Sequence, residues 1–129
     1  MDQSKLETFL LERRFAPFEW GRNDCCLFVA DAVEAMHGVD FAANLRGYRT
    51  RFGAARRLAK AGGLAKLVDE MLAPISASLT RRGDVVMFNA EGGDALGLCV
   101  GRKFAAAGPS GVTFFDMSYV TRAWRCPQR

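Results

Sequence analysis

Apolar positions recur at three- and four-residue intervals through the first half of the chain, and after Asp84 they give way to short runs separated by Gly, Pro and Asn. The first pattern is that of amphipathic helices and the second that of short strands. Ser4-Lys5-Leu6-Glu7 has the spacing of a capping box, and Leu6, Phe9, Leu10 and Arg13 continue it as a short helix ended by Pro17. Asn23 or Asp24 is placed to cap the next helix, whose apolar positions are Phe28, Val29, Ala32, Val33 and Met36 and whose stop is Gly38. A third helical region follows Thr50, with Phe52, Ala55 and Leu58 inward. It breaks at Gly62-Gly63, resumes through Leu64, Leu67, Val68 and Met71, and closes at Pro74.

The strand-like runs are Val85 to Phe88, Ala95 to Val100, Phe104 to Ala107, Val112 to Phe115 and Thr121 to Cys126. Helices first and strands second predict an α+β fold, in which N-terminal helices pack on a small antiparallel sheet of about five strands and the cysteine-bearing helix covers one face. With 129 residues and 50% hydrophobic content, a single packed core is expected, so residues 1–129 read as one domain. No repeat or low-complexity tract interrupts it.

Four cysteines are few for this length, and Cys25 and Cys26 are adjacent, a poor geometry for a disulfide framework and a spacing that zinc sites do not use. A reducing compartment, no metal and no cofactor are expected. The glycines at Gly92-Gly93 and Gly97 are not followed by the Gly-Lys-Ser of a phosphate loop. No apolar run approaches the ~18 residues that span a bilayer, and the first residues lack the apolar block of a signal peptide. The net charge of +4 is unevenly spread: Arg46, Arg49, Arg51, Arg56, Arg57, Lys60 and Lys66 fall in a stretch with no acid between Asp40 and Asp69. That stretch reads as a solvated helix face or as a patch for an acidic partner, and the scarcity of interleaved aromatics argues against nucleic acid.

The chemistry concentrates in Trp20-Gly21-Arg22-Asn23-Asp24-Cys25-Cys26-Leu27-Phe28. A thiol at a helix N-terminus has its anion favoured by free amides and by the helix dipole. Free cysteine also packs as a small hydrophobe, so position alone leaves a reactive and a structural reading open. Trp20 and Cys26 are placed to line a cleft beside Cys25, although a tryptophan is equally at home in a core; Trp124 reads as sheet packing. The only histidine, His37, lies twelve residues further along the same helix, roughly 18 Å away at a rise of about 1.5 Å per residue, and its place in the last helical turn explains it.

In order and spacing, Trp20-Gly21, Asp24-Cys25 opening an apolar helix, Arg82-Gly83-Asp84-Val85 entering a strand, and Leu96-Gly97-Leu98-Cys99-Val100-Gly101 resemble the NlpC-type cell-wall peptidases. The resemblance implies a papain-like fold in which Cys25 stands where the family has its nucleophile, Asp24 caps its helix and Cys26 replaces the following serine. Ala95 then falls at the position of the family's histidine base and Ala106 at that of its orienting residue. General acid–base help is typically worth about two to four orders of magnitude in rate, so the departure points to lost hydrolase activity. Asp94 precedes Ala95, but neighbouring strand residues point to opposite faces.

The chain is also similar, nearly end to end, to short uncharacterised proteins encoded among phage and prophage tail genes. The shared features are Pro17 to Cys25, Gly38-Val39-Asp40, Leu45-Arg46-Gly47-Tyr48-Arg49, Gly62-Gly63, Arg82-Gly83-Asp84, Ala95 to Leu98 and Ala123-Trp124-Arg125. This similarity implies tail-tip or hub proteins as partners, with peptidoglycan a further candidate, and a setting in the host cytoplasm during assembly and then in the virion tail. Two readings follow: a structural or assembly component that keeps a degenerate peptidase fold, and an active cysteine peptidase or amidase in which Cys25 is served by an unconventional or partner-supplied base. A regulator binding through the arginine-rich stretch is a third.

Overall fold

The computed structural model describes residues 3–126. Four helices precede most of the sheet: α1 (Gln3–Arg13), α2 (Cys25–His37), α3 (Arg51–Lys60) and α4 (Leu64–Asp69). Six strands follow: β1 (Ala73–Ile75), β2 (Val85–Ala90), β3 (Gly93–Cys99), β4 (Lys103–Gly108), β5 (Gly111–Asp116) and β6 (Val120–Arg125). They form one antiparallel sheet in the order β1-β6-β2-β3-β4-β5. The α+β architecture expected from the periodicities is therefore present, with six strands in place of about five.

The additional strand contains the proline that the sequence assigns to the end of the helical half. Helix α4 stops at Asp69, and Pro74 lies in β1 opposite Trp124 of β6. At the sheet edge a residue without an amide hydrogen costs no ladder bond on its outer side, so the proline is tolerated there. At the other end of the helical half, α1 begins at Gln3, which puts Ser4 inside the first turn and not at the cap.

Helix α2 is the central element. Eight of its residues, from Cys26 to Met36, are buried, more than an amphipathic surface helix buries. Gly38 ends it in the left-handed conformation, φ 73°, and donates its amide to Glu34 O. Val85, Met87, Leu96, Leu98, Ala105 and Trp124 of the sheet pack against α2, together with Leu6 and Phe9 of α1. The opposite face of the sheet carries a smaller cluster of Val86, Phe88, Ala95, Cys99, Phe104, Ala106 and Ala123, against which Cys25 packs. Phe88, Phe104 and Phe115 contact one another there, with ring centroids 4.8 to 5.5 Å apart. Trp124 is buried in the sheet and donates its Nε1 to Asp69 Oδ1 at 2.7 Å.

Helix α3 faces differently from the expectation. Ala54 is buried and Leu58 partly so, whereas Phe52 and Ala55 face outward. The short helix is held by its Thr50 cap, which accepts from Gly53 N, and by Arg57, which donates to Leu45 O and Arg46 O. A single small side chain and these polar anchors suffice, so the large apolar residue need not turn inward.

The Arg82-Gly83-Asp84 turn into β2 is fixed by a buried carboxylate. Asp84 accepts from Arg81 N at 2.9 Å and from Arg125 Nε and Nη2 at 3.2 and 2.9 Å, tying β6 to the turn. Removing Asp84 would leave the Arg81 amide without its acceptor and untie Arg125, itself partly exposed, from the turn. Asp84→Ala is expected to lower the urea midpoint, and an unchanged midpoint would contradict this placement.

Candidate functional site

The site is built around Asp24, which is 1% exposed and accepts three hydrogen bonds. Its Oδ1 takes the amide of Leu27 at 2.9 Å and so caps α2; its Oδ2 takes the amide of Gly21 at 3.0 Å and the hydroxyl of Tyr48. Asn23 is not the cap: its side-chain nitrogen donates to Ala16 O and Pro17 O and holds the preceding loop closed. The loop passes so close to the segment after α2 that a Cβ at Gly21 would stand 2.0 Å from Tyr48 O, and its φ of 83° also favours glycine. The Trp20-Gly21 pair thus reflects packing of two backbones, and it sets Trp20 beside the start of α2.

Cys25 opens a groove of about 620 Å³. Phe18 and Trp20 line it on the loop side, Phe88, Ala95, Ala106, Ala107 and Phe115 along the sheet, and Arg51 with the Glu91 to Asp94 hairpin at the rim. Trp20 meets Phe18 edge-on at 5.0 Å and remains 37% exposed. The two alanines expected to face the thiol do share its groove: Ala95 sits on β3 beside Phe88, its cross-strand partner, and Ala106 on β4. Both are apolar methyl surfaces. Asp94 and Glu91 are exposed on the rim.

One sequence expectation is corrected here, and one open reading is narrowed. Cys26 does not line the groove; it is 4% exposed and lies in the main core, because one step along the helix turns it away from Cys25. The Cys25 thiol is not acidified by its helix terminus either. Burial pushes its pKa up, and although the Leu96 amide and the first amides of α2 favour the anion, the Asp24 carboxylate opposes them. The cap that starts the helix thus works against the thiolate, and the net direction is upward. Burial likewise raises Cys26, Cys99 and Cys126, the last to about 12.

Tyr48 was not identified from sequence as part of the site, since nothing in its spacing from Asp24 signals contact across a turn of backbone. The pKa of its hydroxyl is pushed up by burial and by the hydrogen bond to Asp24, so it acts as a donor. Past Trp20, a second, more polar basin is lined by Glu19, Gly21, Arg22, Gly47, Tyr48 and Arg49. His37, at the far end of α2, lines neither basin. Among the described residues no three His, Cys, Asp or Glu side chains gather as a metal site.

The α+β fold is similar to that of NlpC/P60 proteins. A protein of the NLP/P60 family from Staphylococcus aureus, described as similar to lipoprotein, superposes with a TM-score of 0.58 at 15% identity; it is matched by 100% of this chain, which spans 43% of the staphylococcal one. RipD from Mycobacterium tuberculosis, a non-catalytic NlpC/p60 domain protein with an adaptation to peptidoglycan-binding function, superposes with a TM-score of 0.50 at 18% identity, over 97% of this chain and 98% of its own. Residues 1–126 match the family described as "Domain of unknown function (DUF6950)", and the chain belongs to it. No curated protein matches the sequence.

The raised thiols give two expectations. Alkylation of Cys25 by iodoacetamide should be slower than that of free cysteine at neutral pH and should show a midpoint above 9.0, the ordinary thiol value; a midpoint well below it would reveal a partner favouring the thiolate. The folded chain also holds thiol protons that the unfolded chain releases above 9.0, so the unfolded state binds fewer protons in that window and stability falls as pH rises through it. The urea midpoint should drop as pH rises from 9.0 towards about 12, and Cys126→Ala should flatten the drop; an unchanged slope would contradict the assignment.

Proposed function

We propose that this chain is a non-hydrolytic NlpC/P60-like domain serving as a structural or assembly component of a phage or prophage tail tip. The observation that carries the loss of hydrolysis is the groove itself, where Cys25 shares its walls with Ala95 and Ala106 and the chain's only histidine is at the other end of α2. Acyl transfer by a thiol needs the anion as nucleophile and an acid to protonate the departing amine. Burial and Asp24 disfavour the anion, and the methyl groups facing it donate nothing.

The tail-tip setting is supported by the end-to-end motif similarity to proteins encoded among tail genes. In that setting the domain is made in the host cytoplasm and enters the particle with the hub. RipD's peptidoglycan-binding adaptation makes cell-wall peptide a candidate ligand for the groove without cleavage, and the apolar floor with a charged rim suits a peptide carrying both kinds of side chain.

Purified protein is expected to leave cross-linked peptidoglycan stem-peptide fragments intact by mass spectrometry, and to be found by proteomics in tails purified from the element that encodes it. Cleavage that disappears in Cys25→Ala would replace this reading by that of an active peptidase with an unconventional base. Normal tails lacking the protein would remove the assembly role.

A further inference from the structure

Helix α3 is the helix whose packing accounts for least of its sequence among the described residues. Of its ten residues only Ala54 is buried, with Leu58 leaning partly on the main core. Its outward positions Phe52, Ala55, Arg56, Ala59 and Lys60 are all exposed and fall at three- and four-residue spacing on one stripe. Phe52 is 78% exposed, more than any other large apolar side chain among the described residues. Two methyl groups continue its apolar line along the helix.

The fold also divides the basic stretch. Arg46 is used internally, donating to Asp31 at 2.7 Å and Asp40 at 2.8 Å, and Arg57 braces the loop before α3. Arg49, Arg51, Arg56, Lys60 and Lys66 make no ion pair or side-chain hydrogen bond with a described residue. No Asp or Glu lies between Asp40 and Asp69 to neutralise them. An apolar stripe flanked by unneutralised cations is complementary to one kind of surface: apolar in the middle and acidic at its borders.

We infer that the outward face of α3 is a docking surface for an acidic amphipathic segment of another protein, whose apolar side chains cover Phe52, Ala55 and Ala59 while its carboxylates meet Arg56 and Lys60. Nucleic acid would engage the cations but has little use for two alanines and a single ring. An anionic bilayer calls for a broader apolar face than this ten-residue helix presents. The inference is independent of the groove, since Phe52, Arg56 and Lys60 do not line it.

The test titrates the intact protein with a fluorescein-labelled synthetic helix bearing leucines on one face and glutamates beside them, with duplex DNA and phosphatidylglycerol vesicles as competitors. Saturable binding that salt weakens is expected. Phe52→Ala and the double change Arg56→Glu, Lys60→Glu should each weaken it roughly tenfold or more, and hydrogen exchange should slow along Arg51–Lys60 on binding. These exposed substitutions leave the core untouched, which unchanged thermal unfolding verifies. No binding, binding indifferent to both variants, protection confined to Trp20 and the β2–β3 hairpin, or preference for DNA or vesicles would overturn the inference. None of those results bears on whether Cys25 can cleave a peptide.

Discussion

The Asp24 carboxylate is the constraint on which the candidate site depends. It is buried, and it joins three segments that are far apart in conformational freedom: the Trp20-Gly21 loop, the first turn of α2 and the segment carrying Tyr48. A buried carboxylate without donors would be costly, whereas one met by two amides and a hydroxyl fixes all three donors in place. Where α2 begins, where Cys25 points and how far Trp20 stands from the sheet all follow from that one group.

The same group explains why a thiol at a helix N-terminus is not reactive by position alone. The helix start offers amides and a favourable dipole, but its cap is a negative charge adjacent to the sulfur, and the partial burial of the thiol disfavours the anion. Dipole and amides are partial charges that act against a full one. A cationic imidazole on the facing strands would reverse the balance by pairing with the thiolate; alanine at those positions leaves burial as the largest influence. Capping and catalysis are thus separable demands on one short segment, and Asp24 meets the first.

The sequence exposed most of the architecture, because its signals were local ones: period 3.6 in α2, glycine at its end, and short apolar runs after Asp84 separated by turn residues. Its link between Cys25 and the two alanines rested on the order and spacing of motifs in a resemblance, and the structure sets all three on one groove. The errors occurred where tertiary context overrides local preference. Pro74 forbids a helix but is acceptable on an edge strand. Phe52 is apolar, yet α3 is held by Ala54 and by backbone bonds from Arg57, which pattern cannot reveal. The thiol's direction of shift depends on burial and on a neighbouring charge, and Tyr48's part in the site depends on a contact across 24 residues of chain.

The motif residues shared with cell-wall peptidases divide by what they do in this chain. Gly21 is needed because a side chain would collide with Tyr48 O, and Gly97 because one would stand 2.5 Å from the Phe104 ring. Asp24 caps a helix, Asp84 pairs with Arg125, and Arg82 donates to Val100 O at 2.9 Å. Each has a structural task that remains whether or not any bond is cleaved. Ala95 on β3 and Ala106 on β4, which share the groove with Cys25, serve here as packing surface. A motif of this kind therefore reports a fold more securely than a reaction, because the residues that build the groove are required by folding itself.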